Sequence, residues 1–384
     1  MRTHRLTLSV ALLLAIVGCC QVALAETSQG PPPVAPLPPE SAPERQNPSP
    51  DWGEPITWEG LSTTYDIYKE NFVYGADPFL ITDMRTEEKY QDKESYEMRS
   101  FTVYRAYDGE ELLDGQPVVF FVHGGAWTDG YENWYDFVSQ SFTGEKGWVT
   151  VVIDYRLTSD QVFIADEYCP DRATCDLPPN VISRTKAAWY PDNIHDVSDA
   201  FRWVLDNISD NGGNADQIVL FGHSAGGQLV SLFATHPDYQ VMFRHAIRGV
   251  ISMSGAYSMK DLNMLTFGSA LDQTFRGGHA DNDAELDEAS PATYVVEGIT
   301  LPPFYLLHSQ QELPSLYTQK IVFKDRLLSL GLPVYFDYLP GYDHYTEMEV
   351  IGDISELPTA LIIDFIETIL NLAKERLYLP MIIR

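Results

Sequence analysis

Basic residues are scarce in this chain. Its 384 residues include 25 Lys and Arg against 55 Asp and Glu, a formal charge of −30 at pH 7. Such a surface repels phosphates, so nucleic acid and anionic lipid headgroups are excluded as non-specific partners. Cysteine is scarce too, with four in all. Beyond the first 25 residues no apolar run is long enough to cross a membrane. There is no internal repeat. What remains, at 45% hydrophobic residues, is ample material for one large buried core.

The first 25 residues read as an export signal. Arg2 and Arg5 precede the apolar stretch Leu6 to Val17, which is too short for a comfortable span. Two processing routes fit. Ala23-Leu24-Ala25 is a small-x-small cleavage site, whereas Ile16-Val17-Gly18-Cys19 resembles a bacterial lipobox that would leave a lipid anchor on Cys19. Either route predicts an exported protein: secreted, periplasmic, or tethered to the membrane as a lipoprotein. Residues 26–55 are rich in proline and read as an extended linker that buries nothing. Outside the cytoplasm, Cys169 and Cys175 in EYCPDRATCDLPP predict a loop-closing disulfide. A metal site is the weaker alternative there, since no histidine lies nearby.

Residues 56–378 carry globular patterning. FTVYRAY (101–107) alternates like a partly exposed strand. PVVFFVH (117–123) and GWVTVVIDY (147–155) are continuous apolar runs, as strands buried on both faces require. An irregular stretch, 156–190, follows. Ile194, Val197, Phe201, Val204, Leu205 and Ile208 recur at helical spacing. QIVLFG (217–222), RGVISMSG (248–255), PPFYLLHS (302–309) and PVYFDYL (333–339) read as strands. Helices are expected over 225–235, over 314–330 with Gly331 just past the end, and over about 358–376. The alternation predicts an α/β fold: a mostly parallel sheet covered by helices on both faces, with chemistry at the carboxyl ends of its strands.

Gly222-His223-Ser224-Ala225-Gly226 fits G-x-S-x-G, directly after an apolar strand and directly before a helix. That context marks Ser224 as a nucleophile held on a tight turn. A serine attack places negative charge on a carbonyl oxygen, which preorganised N–H groups must meet. The loop His123-Gly124-Gly125-Ala126-Trp127 supplies Gly124 and Gly125, with Ala126 a further candidate, and Ala225 supplies another donor. His123 is expected to brace this loop. Trp127 is expected either as a pocket wall or as core, and Trp134 and Tyr135 as possible lining.

These pieces, with VVIDYRL (151–157), YPDNIHDVSDAFRWVLDNI (190–208) and GGNADQIVLFGHSAGGQL (212–229), resemble the α/β-hydrolase esterases. Within these, they resemble the group holding hormone-sensitive-lipase-like carboxylesterases and kynurenine-formamidase-like enzymes. The resemblance spans roughly residues 65–375. It departs in one glycine, replaced by Ala126, and in the acid.

The order in this fold is serine, acid, histidine. Of the nine histidines, His344 alone follows the last strand, in LPGYDHYTEM. The resemblance also places the catalytic histidine there. The family's H-G-x-x-D reads here as His308-Ser309-Gln310-Gln311-Glu312, which puts Glu312 at the acid position. Asp343, Asp337 and the carboxylates from Asp272 to Asp287 are its rivals. Asp196 resembles a position that buttresses the structure. The resemblance thus implies a Ser224–His344–Glu312 triad acting on a small-molecule ester, with no cofactor and no metal. Amide, formamide or peptide hydrolysis on the same triad is an alternative. A non-catalytic binding protein on the hydrolase scaffold is a third reading.

Overall fold

In the computed structural model the described residues are 55–56, 63–74, 80–83, 100–158, 160–163, 186–275 and 283–374. The export signal with Cys19, all but the end of the linker, and the pair Cys169 and Cys175 lie outside them.

The unbroken apolar strands owe their composition to burial on two sides. Along Gln116–Val122, Val118, Phe120 and Val122 point into one core, while Val119 and Phe121 point into another. Val151 and Ile153 separate from Val152 in the same way, and Leu220 separates from Val219 and Phe221. The side-chain period of two assigns alternate residues to opposite faces. Each fully buried side chain of this kind contributes about 1.5–3 kcal/mol.

The strands join into one sheet in the order Asp66–Val73, Ser100–Asp108, Val149–Ile153, Gln116–Val122, Gly213–His223, Ile247–Met253, Phe304–Leu307, Val334–Phe336. Asp66–Val73 and Ser100–Asp108 run antiparallel to their neighbours, and the pairs from Val149–Ile153 onward are parallel. On one face lie the helices Asp192–Asn207 and Ala225–Thr235. On the other lies Leu357–Lys374, packed through Ile362, Phe365, Ile366 and Ile369. The predicted stripe on Asp192–Asn207 is buried at Ile194, Val197, Phe201 and Val204. Leu316–Ser329 ends with Gly331 at φ +68°, where a left-handed residue lets the Leu332 N–H reach back to the Leu327 carbonyl.

Three features depart from the sequence expectation. The strand read as partly exposed, Ser100–Asp108, is buried from Ser100 to Ala106, because it lies between two neighbouring strands with its polar side chains bonded inside. Part of the stretch read as irregular pairs into a small antiparallel sheet of Leu80–Asp83, Asp160–Phe163 and Lys186–Ala187. The segment after the last strand, read as loop, contains Leu339–Asp343, which pairs in parallel with Ser309–Gln311. Pro340 and Gly341 mask any strand pattern there, and the pairing has no apolar face of its own to announce it. Among the described residues no helix is long and apolar enough to cross a membrane.

Candidate active site

The turn at Ser224 is forced by close packing. A Cβ on Gly222 would sit 2.2 Å from the Gly226 carbonyl oxygen, and one on Gly226 would sit 2.0 Å from that of Val122. Only glycine lets the strand Gly213–His223 fold back so tightly into the helix Ala225–Thr235. Ser224 itself adopts φ 54°, ψ −115°, a backbone state that costs about 1–3 kcal/mol and persists because its surroundings hold it. Its N–H donates to the Met253 carbonyl at 2.9 Å, and its carbonyl accepts from Gln228 N–H at 3.1 Å.

His344 Nε2 lies 3.0 Å from Ser224 Oγ, and His344 Nδ1 lies 2.7 Å from Glu312 Oε1. An ionised carboxylate only accepts, so Nδ1 carries the proton and Nε2 presents its lone pair to the serine hydroxyl. The structure thus brings Ser224, His344 and Glu312 into one line. Glu312 Oε1 also accepts from Leu313 N–H at 2.7 Å, and Oε2 accepts from Ser254 Oγ. Burial alone would raise the Glu312 pKa. The His344 hydrogen bond and charge, with the Ser254 and Leu313 bonds, outweigh it and hold the carboxyl below its ordinary value.

The rival carboxylates are engaged elsewhere. Asp343 Oδ1 accepts from the N–H groups of Tyr345 and Thr346 at 3.0 and 2.8 Å, ahead of the short helix Thr346–Glu349. Asp337 accepts from Tyr305 Oη at 2.8 Å. Asp287 pairs with Lys260 at the surface. Asp196, fully buried, accepts from the Arg156 backbone N–H and from Nε and Nη2 of its guanidinium, tying the helix Asp192–Asn207 to the chain after Val149–Ile153.

The loop after Gln116–Val122 passes directly beside the nucleophile. A Cβ on Gly124 would lie 3.1 Å from Ser224 Cβ. The Gly125 carbonyl accepts from Thr128 and Asp129 N–H at 3.0 and 2.9 Å, which turns the loop back on itself. The Gly124 N–H reaches the Tyr135 hydroxyl oxygen, which opposes the burial that raises the Tyr135 pKa. Ala225 opens the helix, so its N–H belongs to the unpaired first turn. His123 braces the loop: its ring stacks on Tyr155 at 4.4 Å and its Nδ1 donates to the Gly124 carbonyl at 2.7 Å. Burial pushes its pKa down to about 4, so it is neutral at physiological pH. Ala126 and Trp127 both take positive φ, of 51° and 59°. Trp127 is core. It is 2% exposed, packs on Phe275, and donates its indole N–H to Gln228 Oε1 at 2.8 Å. Trp134 is exposed, and Tyr135 stacks on His123 at 5.7 Å.

Three residues escaped the sequence reading. Ser254, at the end of Ile247–Met253 with φ 49°, holds the acid. His223 Nε2 donates to the His344 carbonyl at 2.9 Å and so fixes the histidine's backbone to the turn at Ser224. Glu347, fully buried, lies with its Oε1 3.6 Å from His223 Nε2, and neither of its oxygens has a hydrogen-bond partner among the described residues. Burial is the leading cause raising its pKa, with Glu312 adding to this and His223 and Ser254 opposing it. Only the neighbourhood of the motifs could have signalled His223, and no local pattern marks the other two. Among the described residues, His223, His344 and Glu347 are also the group close enough to share a metal ion. Both His344 nitrogens are engaged by Glu312 and Ser224, and His223 Nε2 by a carbonyl, so the set does not fit a metal while these bonds stand.

With this geometry in view, likeness to known proteins is informative. The model of the Carboxylesterase family matches residues 188–272, which include Ser224. The probable carboxylic ester hydrolase LipM of Mycobacterium tuberculosis is 28% identical over 265 residues, 66% of this chain and 54% of that protein. Esterase LipQ of the same organism is 29% identical over 238 residues, covering 59% and 50%. The chain thus spans about half the length of these curated relatives. Among solved structures, esterase B from Lactobacillus rhamnosis superposes with a TM-score of 0.56 at 18% identity, over 82% of this chain and 89% of that one. The hyperthermophilic esterase of the archaeon Pyrobaculum calidifontis gives 0.52 at 20% identity, over 71% and 81%. The chain is therefore an α/β-hydrolase by fold, with sequence likeness to the carboxylesterase family across the segment that carries Ser224.

Proposed function

We propose that this protein is a serine carboxylesterase that hydrolyses small esters through an acyl-Ser224 intermediate. One observation carries the reading: the unbroken line from Ser224 Oγ to His344 Nε2 at 3.0 Å and from His344 Nδ1 to Glu312 Oε1 at 2.7 Å. The likeness to carboxylesterases and esterases supports it.

The steps follow from the donors and acceptors. His344 Nε2 takes the hydroxyl proton as Ser224 Oγ bonds to the ester carbonyl carbon. The carbonyl oxygen becomes an oxyanion, stabilised by the N–H groups of Gly124, Gly125 and Ala225. Glu312 stabilises the imidazolium without taking its proton. His344 then passes the proton to the departing alkoxide, and the alcohol leaves. A water molecule, deprotonated by His344, attacks the acyl carbon, and the carboxylic acid leaves as Ser224 regains its proton.

Residues 56–378 are the catalytic domain in this reading, closest in motif to the hormone-sensitive-lipase-like and kynurenine-formamidase-like group. The first 25 residues direct export, and intact mass of the mature protein distinguishes cleavage before Glu26 from a lipid on Cys19. A fluorophosphonate probe tests the chemistry. Labelling of the native protein, lost in Ser224→Ala together with turnover of p-nitrophenyl acetate, is expected. A Ser224→Ala protein that turns over ester at the wild-type rate overturns it.

A further inference from the structure

A cavity opens beside the acid loop. It measures about 640 Å³, and its wall includes His308, Tyr317, Lys320, Lys324, Phe336 and Tyr338. That volume is in the range of small-molecule sites. Its charge is unusual for this protein. In a chain of net charge −30, two lysines one helical turn apart on Leu316–Ser329 converge on one ring. Their ammonium groups lie 5.3 and 4.6 Å from the Phe336 centroid.

Lys320 is the telling residue. It is 3% exposed, and its ammonium makes no hydrogen bond or ion pair with any described residue. The side chain is buried while its ammonium faces the cavity over the Phe336 ring, and a like charge four residues on adds repulsion there. Burial and Lys324 together push the Lys320 pKa down to about 8, against the pull of Asp337. The other charges in the wall are already answered. Glu312 takes hydrogen bonds from His344, Ser254 and Leu313, Asp337 takes one from Tyr305, and Lys324 pairs with Asp325 at 3.1 Å. His308 Nε2 has no partner among the described residues, and burial lowers its pKa, so it adds no charge.

We propose that this cavity is a binding site for a small organic carboxylate, its charge held by Lys320 and Lys324 and its apolar body by Phe336, Tyr317 and Tyr338. One unmatched ammonium asks for one negative charge, which favours a monoanion over a dianion. Aromatic walls favour an organic body over an inorganic ion. The wall shares Glu312 with the triad, but the contacts proposed for the ligand do not rest on the hydrolytic reading.

Calorimetric titration of the full chain at low salt tests this, with benzoate as probe, benzamide as its neutral match and inorganic phosphate as the second anion. Saturable benzoate binding is expected, with at least a tenfold weaker affinity in Lys320→Met and in Lys320→Gln. Thermal unfolding gives a second readout that does not depend on affinity alone. Without ligand, Lys320→Met should melt above wild type, because the repulsion with Lys324 is gone, and benzoate should raise the wild-type Tm but not the variant's. Equal binding of benzamide overturns the role of charge. Phosphate binding without benzoate binding overturns the choice of ligand. Benzoate affinity that survives both Lys320 variants, or that follows His344→Ala instead, places the ligand at Ser224 and overturns the site.

Discussion

His344 Nδ1 lies 2.7 Å from Glu312 Oε1, although 32 residues separate them. The contact is prepared by the backbone. Ser309–Gln311 and Leu339–Asp343 pair in parallel, and Leu339 N–H donates to the His308 carbonyl at 2.9 Å, so the acid and histidine segments leave one small sheet side by side. His223 then fixes the His344 carbonyl from the serine side. Each arm of the line is thus held by main-chain bonds before the side chains meet.

The first prediction concerns that line. Glu312→Gln removes the charge and allows the wrong His344 tautomer, so kcat should fall by about 10⁴-fold with little change in KM. Glu312→Asp keeps the charge but draws it back by one methylene, and a loss of about 10²-fold is expected from the misplacement. Steady-state kinetics on p-nitrophenyl acetate decide this. Unimpaired turnover in Glu312→Gln would move the role to another carboxylate.

Gly130 is a remote handle on the loop beside Ser224. It has φ +114°, and a Cβ there would lie 2.3 Å from His123 Nδ1, the atom that donates to the Gly124 carbonyl. Gly130→Ala should displace His123 and misaim the Gly124 and Gly125 N–H groups, lowering kcat by about 10²-fold. Circular dichroism should stay unchanged. A variant with wild-type kcat would show that the loop does not depend on His123.

Glu132 and Asp154 form a buried acidic pair far from the triad in sequence. Glu132 N–H donates to Asp154 Oδ1 at 2.6 Å, and burial, with the neighbouring carboxylate, raises the Glu132 pKa; burial raises that of Asp154. Folded pKa values above the unfolded ones mean that the pair's contribution is complete below the ordinary carboxylate range. It is lost as pH rises through the folded values. Glu132→Gln should therefore change Tm little at pH 4 and exceed wild type at pH 9, by about 2–4 °C per kcal/mol recovered. A Tm difference that does not vary with pH would mean the pair is not protonated in the fold.

Glu347 is expected to resist ionisation. Burial is the leading cause of its raised pKa, so its stabilising contribution is full below the ordinary glutamate range and declines as pH rises. Glu347→Gln should keep kcat near wild type at pH 7 and lose less stability than wild type as pH rises above the ordinary glutamate range. A large fall in kcat at pH 7 in this variant would show that the residue acts as an anion beside His223 and His344.

Much of this could be read from the chain because the signals are local. The two-faced strands announce themselves by unbroken apolar runs, since both sheet faces are covered. The turn at Ser224 announces itself by glycines at positions where a Cβ would strike backbone at 2.2 and 2.0 Å. The order of serine, acid and histidine along the chain narrowed the partners to Glu312 and His344. The pairing of Leu339–Asp343 with Ser309–Gln311 was not legible, because Pro340 and Gly341 break any strand pattern and the bonds are made by backbone alone.

What the sequence by itself determined was the alternation of elements, the covered parallel sheet and the identity of the nucleophile, all of which rest on periodicity and on short-range backbone geometry. Only the tertiary structure decided the rest. It turned Trp127 into core through Gln228 and Phe275, gave Asp343 to the backbone of Tyr345 and Thr346, and set Ser254 behind Glu312. It also set the largely buried Lys320 in a cavity wall, with no ion pair to its ammonium among the described residues. The physical reason is common to these cases. Desolvation and hydrogen-bond partnership are set by what packs against a side chain, and those neighbours come from segments tens of residues away.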